Sequence, residues 1–276
     1  MEIQRYNSVE AFRADVFGLL MENEAENNLL ISMLTESSAK YSDDWLMATV
    51  VDRGNISLAA LCSKPFNLLL FEPKSSDRVA VEMLAREIRR IGFGVPGILA
   101  ESGLARRFAG AYSTDGSGKH HISMVVMYLD RLHAYDIAPG YFREIGERDM
   151  FFVPFWEHAF GEDCRVHVSP LPEVVSRIRA RLGKGKHFLW EDGIPVSQAV
   201  YGRGTPNGAI INMVYTPPHL RGRGYATAVV GELSRMLLEN GKAFCGLFAD
   251  ACNPVSRNIY RKLGYRDIGI FDDIRF

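Results

Sequence analysis

Two glycines alternate with two arginines in the run Val214-Tyr-Thr-Pro-Pro-His-Leu-Arg-Gly-Arg-Gly-Tyr-Ala-Thr227. The apolar segment Ala209 to Tyr215 precedes it and an amphipathic segment follows. The pattern predicts strand, Pro-Pro turn, glycine-rich loop and helix, in that order. The first N–H groups of a helix have no intrahelical acceptor, and the helix dipole favours an anion beside them. Glycine keeps side chains out of the way, so the backbone can come close to a ligand. Arg221 and Arg223 add positive charge. The run therefore reads as a cradle for a phosphate-bearing ligand. One helix and one strand later comes Asn253-Pro254, which suits an N-cap and a first helical residue. Gly264 suits the end of that helix, and Tyr260 lies within it.

The rest of the chain bounds what can surround such a cradle. Its 276 residues suit two modest domains. Hydrophobic content of 47% and charged content of 24% are ordinary for a globular protein. A net charge of -1 points away from a bulk binder of nucleic acid or anionic membrane. No apolar run approaches the length of a membrane span, and the first residues do not resemble a signal peptide. Cys62, Cys164, Cys245 and Cys252 show no paired spacing. They read as reduced thiols, and a cytoplasmic location is expected.

Periodicity predicts a helix over Glu10 to Leu34. Strands are predicted at Trp45 to Val51, Ile56 to Cys62 and Asn67 to Phe71, and a helix at Val79 to Ile91. A strand at Val95 to Ala100, a helix at Ser102 to Tyr112 and a strand at Ile122 to Leu129 complete the first half. The second half repeats the order. Helices are predicted at Glu147 to Phe160 and Leu171 to Leu182, and strands at His187 to Trp190, Val196 to Tyr201 and Ala209 to Tyr215. A helix at Gly224 to Asn240, a strand at Ala243 to Ala249, a helix at Pro254 to Leu263 and a strand at Arg266 to Phe271 follow. Pro139-Gly140 breaks both periodicities, so the domains are expected at 1–137 and 138–276. Gly92, Gly94 and Gly97 spell a dinucleotide fingerprint, but they follow a helix and precede a strand. That is the reverse of the required context, and they read as a helix stop and turn.

Arg221-Gly-Arg-Gly-Tyr-Ala226 resembles the Arg/Gln-x-x-Gly-x-Gly/Ala signature of GCN5-related N-acetyltransferases (GNAT). Asn253-Pro-Val-Ser-Arg-Asn-Ile-Tyr260-Arg-Lys-Leu-Gly264-Tyr265 resembles that family's Asn-x-x-Ala/Ser-x-x-x-Tyr-x-x-x-Gly-Phe/Tyr helix. The spacing between the two motifs also agrees. The resemblance covers roughly 187–276 strongly and 138–186 by element order. Over 1–137 the segment Phe71 to Ala80 lies where a second cradle belongs and has no glycine, so this half resembles a degenerate copy. The implied fold is α/β (α+β): two GNAT-like halves, each a mixed, mostly antiparallel sheet flanked by helices.

The resemblance implies acetyl-CoA or another acyl-CoA as cosubstrate and no metal. Gly222, Arg223, Gly224, Tyr225 and Ala226 would offer backbone N–H groups to the pyrophosphate, Thr227 a hydroxyl and Arg221 charge. Val214, Tyr215 and Thr216 would pair with the peptide-like pantetheine arm, and Asn253 would reach it from the other side. Tyr260 matches the family's general acid in direct attack of a primary amine on the thioester. Where many members place a base, this chain has Phe248. Asp250, Glu157 and His158 are the alternatives for that role. His219 is expected in solvent.

Two other classes compete. A dinucleotide oxidoreductase would use Gly222 and Gly224, but Thr227 replaces the third glycine and too few residues follow. A non-catalytic acyl-CoA sensor would keep the cradle without a base. The expected partner is a small-molecule amine, with neither nucleic acid nor membrane. Glu147, Asp149, Glu157 and Glu162 make the acceptor region acidic enough for a cation. Homo-oligomerisation is left open.

Overall fold

The computed structural model describes residues 1–36, 44–73, 78–113, 116, 118–166 and 168–276. In chain order the elements are β1 (Glu2–Tyr6), α1 (Val9–Met21), α2 (Asn28–Glu36), β2 (Trp45–Asp52), β3 (Asn55–Ser63), β4 (Leu68–Phe71), α3 (Arg78–Arg90), β5 (Gly97–Glu101), α4 (Ser102–Tyr112) and β6 (Lys119–Leu129). The order then recurs as β7 (Tyr141–Glu144), α5 (Val153–Asp163), α6 (Leu171–Arg179), β8 (His187–Asp192), β9 (Ile194–Gly204), β10 (Gly208–Tyr215), α7 (Tyr225–Glu239), β11 (Phe244–Asp250), α8 (Pro254–Leu263) and β12 (Arg266–Arg275). Short 3-10 turns lie at Glu147–Asp149 and Pro218–Leu220.

The chain forms two compact units. The first comprises Met1–Val126, Ala249–Cys252 and Ile268–Phe276. Its strands lie in the order β1-β2-β3-β4-β5-β12-β6. β4 and β5 run parallel, while β1 to β4 pair antiparallel, as do β5 and β12. The last strand of the chain thus completes the first unit. The second comprises Met127–Phe248 and Asn253–Asp267. Its order is β11-β10-β9-β8-β7, parallel between β10 and β11 and antiparallel elsewhere. Each sheet is mixed and mostly antiparallel, as expected.

Strands β2 to β4 read as nearly unbroken apolar runs because both of their faces are covered. Leu46, Ala48, Val50, Leu58, Ala60, Leu68 and Leu70 pack in one core with Val81, Leu84 and Ile88 of α3. The alternate residues Met47, Ala59, Leu61, Leu69 and Phe71 pack in another with Phe12, Val16 and Leu20 of α1. In the second unit Leu189 meets Val153 of α5 and Val174 and Ile178 of α6.

The structure corrects four element boundaries. The helix predicted over Glu10 to Leu34 is two, α1 and α2. Asn27 Nδ2 donates to the Leu20 carbonyl at 2.9 Å and Asn28 Nδ2 to the Ala25 carbonyl at 2.6 Å, side-chain bonds that compete with a continuous helical ladder. The helix predicted from Glu147 begins at Val153, because Pro154 suits only a first turn. Edge strands β1 and β7 carry mostly exposed or half-buried residues and so gave little periodic signal. β12 continues past Phe271 to Arg275. Its polar Asp272 is buried but accepts from Ser123 Oγ at 2.6 Å and Arg106 Nε at 2.9 Å, and Asp273 accepts from Asn67 Nδ2 at 2.9 Å. The Gly92 fingerprint is a helix stop and turn after α3, as read. In the segment Phe71 to Ala80, which lies in the place of a second cradle and reads as degenerate, residues 74–77 fall outside the described residues.

Two substitutions on helices should behave oppositely. A Cβ on Gly231 of α7 would sit 2.3 Å from Tyr135 Cζ, whose hydroxyl donates to Glu232 Oε1 at 2.8 Å. Gly231→Ala should cost about 1–3 kcal/mol by overpacking. Gly110 of α4 has open space around its Cα. Gly110→Ala should add about 0.5–1 kcal/mol of helix stability. Thermal melts of the two variants against the parent check both signs.

His187 on β8 is fully buried, its Nε2 3.3 Å from Gln198 Oε1. Burial, aided by the charge of Arg181, pushes its pKa down from 6.5 to about 3. Between those values the unfolded chain takes up a proton that the folded chain refuses. The stability this group contributes is therefore complete above about pH 6.5 and is lost as pH falls towards 3. His187→Gln, which keeps a donor to Gln198 and cannot charge, should lose less stability than the parent between neutral pH and pH ~5. Urea unfolding at the two pH values measures the difference, and an equal loss refutes it.

Candidate functional site

The site grows from the start of α7. Gly222 and Gly224 have φ of 80° and 83°, in the left-handed region, so a side chain at either would strain the loop. Gly224 is the N-cap of α7 and supplies no side-chain cap. Its carbonyl already accepts from Ala228 N–H, as a helical turn requires. The N–H groups of Tyr225, Ala226 and Thr227 thus open the helix without an intrahelical acceptor.

The strand before the cradle is opened on one side. β10 pairs with β11 from Gly208↔Phe244 to Ile211↔Leu247, and the register ends there. On the other side β10 keeps β9, through irregularities between Ile210 and Ile211 and between Asn212 and Tyr215. Met213 sits at φ 52° inside the second irregularity. Buried side chains pin this shape. Ser197 Oγ donates to the Tyr215 carbonyl at 3.1 Å and lies 2.9 Å from Thr216 Oγ1. Arg221 Nε donates to the Thr216 carbonyl at 2.9 Å, and its Nη2 bonds Asp163 Oδ2 at 2.5 Å. Arg221 is therefore a brace between the turn and the end of α5.

These pieces border a cavity of about 630 Å³ within the second unit. Val214, Tyr215, Thr216, Arg221, Gly222, Gly224, Tyr225, Ala226, Thr227, Asn253 and Tyr260 all line it. Arg223 does not; Tyr225, its neighbour, donates its hydroxyl to Asp192 Oδ2 at 2.7 Å. Asn253 is the N-cap of α8, its Oδ1 accepting from Ser256 N–H at 3.2 Å. Tyr260 is 7% exposed, and its ring meets Tyr265 edge-on at 5.9 Å. Among the described residues no side chain takes its hydroxyl. Burial, then the nearby Cys164, pushes the phenol well above its ordinary range, so it stays protonated and keeps a proton to donate.

Further lining residues had weaker signals. Ser256, Ile259 and Lys262 share the cavity with Tyr260 and could be found from helical spacing on α8. Phe160, Asp163 and Cys164 come from α5 and its C-cap, far away in sequence, and only folding brings them in.

Other candidates are placed elsewhere. Asp250 does not line the cavity, and its Oδ1 accepts from Cys252 N–H at 2.8 Å in a turn. Glu157, expected on a solvated face, is 3% exposed and paired with Arg177 and Arg181. Asp149 is likewise buried, and accepts from both Nη atoms of Arg143 at 2.7 and 2.8 Å. The acidic field expected around α5 is thus cancelled at two of its four members by arginine partners. His219 is exposed, as read. Among the described residues no group of three or more His, Cys, Asp or Glu is placed to hold a metal. Among them, too, no helix is long and apolar enough to cross a membrane.

Comparison with known proteins agrees with this geometry. The family described as FR47-like protein matches residues 193–274, which hold the cradle, Asn253 and Tyr260. No curated protein matches the chain in sequence. Among solved structures, a GCN5-related N-acetyltransferase from Sphaerobacter thermophilus is similar with a TM-score of 0.67 at 16% identity, covering 99% of this chain and 95% of that one. An acetyltransferase of the GNAT family from Colwellia psychrerythraea gives 0.58 at 12% identity, with both chains covered completely at 100%. A tandem GNAT protein from the clavulanic acid biosynthesis pathway gives 0.58 at 13% identity, covering 99% and 97%. The repeated element order is therefore matched over whole chains and not only over the second half. The chain thus has the fold of GCN5-related N-acetyltransferases, in an arrangement similar to solved proteins that carry two such halves in one chain.

Proposed function

We propose that the chain is an acyl-CoA-dependent N-acyltransferase that moves an acyl group, acetyl in the simplest case, to a primary amine. The observation that carries this reading is one cavity bordered by three things: the uncapped first turn of α7, the unpaired edge of β10 and the Tyr260 phenol. Residues 138–276 are assigned to the cosubstrate, and 1–137 to a half without a cradle of this kind.

The residues present suit CoA. A pyrophosphate needs several N–H donors close together, and Tyr225, Ala226 and Thr227 supply them at the positive end of a helix. A peptide-like arm needs an open strand edge, and β10 has one beyond Ile211. The acyl-CoA supplies a thioester whose carbonyl carbon accepts a nucleophile and whose sulfur leaves. The amine nitrogen attacks that carbon, the carbon–sulfur bond breaks, and the thiolate takes the proton of Tyr260. The proton lost by the amine restores the phenol through solvent. N–H groups around Val214 to Thr216 are assigned to the developing oxyanion. Asp250 is assigned to its turn, since its Oδ1 is already engaged by Cys252. The acceptor is assigned only as a primary amine, because the ion pairs of Asp149 and Glu157 weaken the argument from an acidic acceptor region.

Calorimetric titration with acetyl-CoA should give saturable binding, and Gly224→Glu should abolish it. A carboxylate at that φ would both strain the loop and repel the phosphates. Absence of binding by the intact protein overturns the reading. In a thiol-release assay with a panel of amines, Tyr260→Phe should lower kcat by about 10²-fold or more while leaving CoA affinity nearly unchanged. Equal turnover removes Tyr260 from the mechanism, and CoA binding without turnover across the panel replaces the enzyme by a sensor. The raised phenol pKa adds a pH signature: kcat should not fall through pH ~10, where an ordinary tyrosine ionises.

A further inference from the structure

A second concentration of charge lines a cleft of the first unit. In the first unit Arg78, Arg86 and Arg89 of α3 face Arg106 and Arg107 of α4 across a cleft of about 740 Å³, with Glu82 the single carboxylate in its lining among the described residues. Residues 78, 82, 86 and 89 recur at helical spacing, so they form one stripe along α3. Three of the five arginines are neutralised. Arg78 pairs with Glu82 at 2.9 Å, Arg106 with the buried Asp272 at 2.9 Å and Arg107 with Glu72 at 2.5 Å. The other two bond only neutral acceptors. Arg86 Nε donates to the Glu82 carbonyl at 3.3 Å, and Arg89 Nη1 donates to the Ala111 and Tyr112 carbonyls at 2.5 and 2.7 Å. Among the described residues neither is in a salt bridge. Arg107 Nε is buried and has no hydrogen-bond partner among the described residues. Arg86 and Arg89 are exposed and lie one helical turn apart, beside the buried Arg107 Nε, so their charge faces the cleft's solvent.

We infer that this cleft binds a compact ligand carrying several phosphate charges. Guanidinium forks match phosphate oxygens in pairs, and Arg86 and Arg89 can serve one doubly charged group together. The volume is that of a small-molecule site. Among the described residues no aromatic side chain lines the cleft, so they offer no platform on which nucleic-acid bases could stack. The cleft shares no residue with the cavity of the second unit, so the two sites are separable by mutation.

The test uses the full-length protein carrying Gly224→Glu, which takes the α7 cradle out of the measurement. Calorimetric titration with inorganic tripolyphosphate at low salt should show saturable binding that weakens as salt is added. Arg86→Glu, and separately the Arg86→Gln/Arg89→Gln pair, should weaken it by about tenfold or more. Circular dichroism and melting of each variant show that the fold is kept. Arg86→Glu covers the case in which losing the Arg89 bonds to α4 unsettles the pair variant. Absence of saturable binding overturns the inference, as does equal binding by parent and variants. A single-stranded DNA oligonucleotide bound more tightly than tripolyphosphate through the same arginines would make the cleft a nucleic-acid surface and also overturn it.

Discussion

A helix that begins without a side-chain cap leaves several N–H dipoles with nothing to donate to, and the second unit is arranged around that deficit. The first turn of α7 stays open because Gly222 and Gly224 turn the chain through left-handed backbone that leaves no side chain over the helix start. A serine or aspartate N-cap would satisfy one of these donors and close the approach. The uncapped helix costs stability unless an anion completes it, and burial along the rest of α7 offsets that cost. Val229, Val230, Leu233 and Leu237 are buried on its core face.

The same logic extends to β10. A strand that paired with β11 along its whole length would leave no room beside the cradle. The register stops at Ile211, and Met213 takes a conformation unusual for a residue with a Cβ. Such backbone persists only where its surroundings over-determine it. Here Ser197 and Arg221 hold the Tyr215 and Thr216 carbonyls, and Gln198 Nε2 donates to the Met213 carbonyl at 3.4 Å. Gln198 in turn faces the neutral His187, so the support reaches back through β9 to β8. Open donors, open edge and buried phenol are then three faces of one cavity.

The two units use arginine in different ways. In the second unit Arg143, Arg177 and Arg181 neutralise Asp149 and Glu157, buried beside α5 and α6, and Arg221 fastens a turn. These are bracing roles. In the first unit Arg86 and Arg89 reach, among the described residues, only carbonyl groups, which leaves their charge available. A chain with nearly balanced charge can therefore hold a local cationic cleft while showing none in its composition.

The cradle, the Asn253 cap, Tyr260 and the order of most elements were legible in the sequence because each depends on neighbours a few residues away. Glycine in left-handed turns, proline in a first helical turn and apolar periodicity act over one or two helical turns. The break between α1 and α2 was not legible, because two asparagine side chains with local partners outweighed a good apolar stripe. The edge strands β1 and β7 were missed because a strand with little burial carries little pattern. The far wall of the cavity from α5, the arginine partners that silence Asp149 and Glu157, and the place of β12 beside β5 were decided only by the tertiary structure. Each depends on which residues distant in sequence share a face or an ion pair, and no local pattern encodes that.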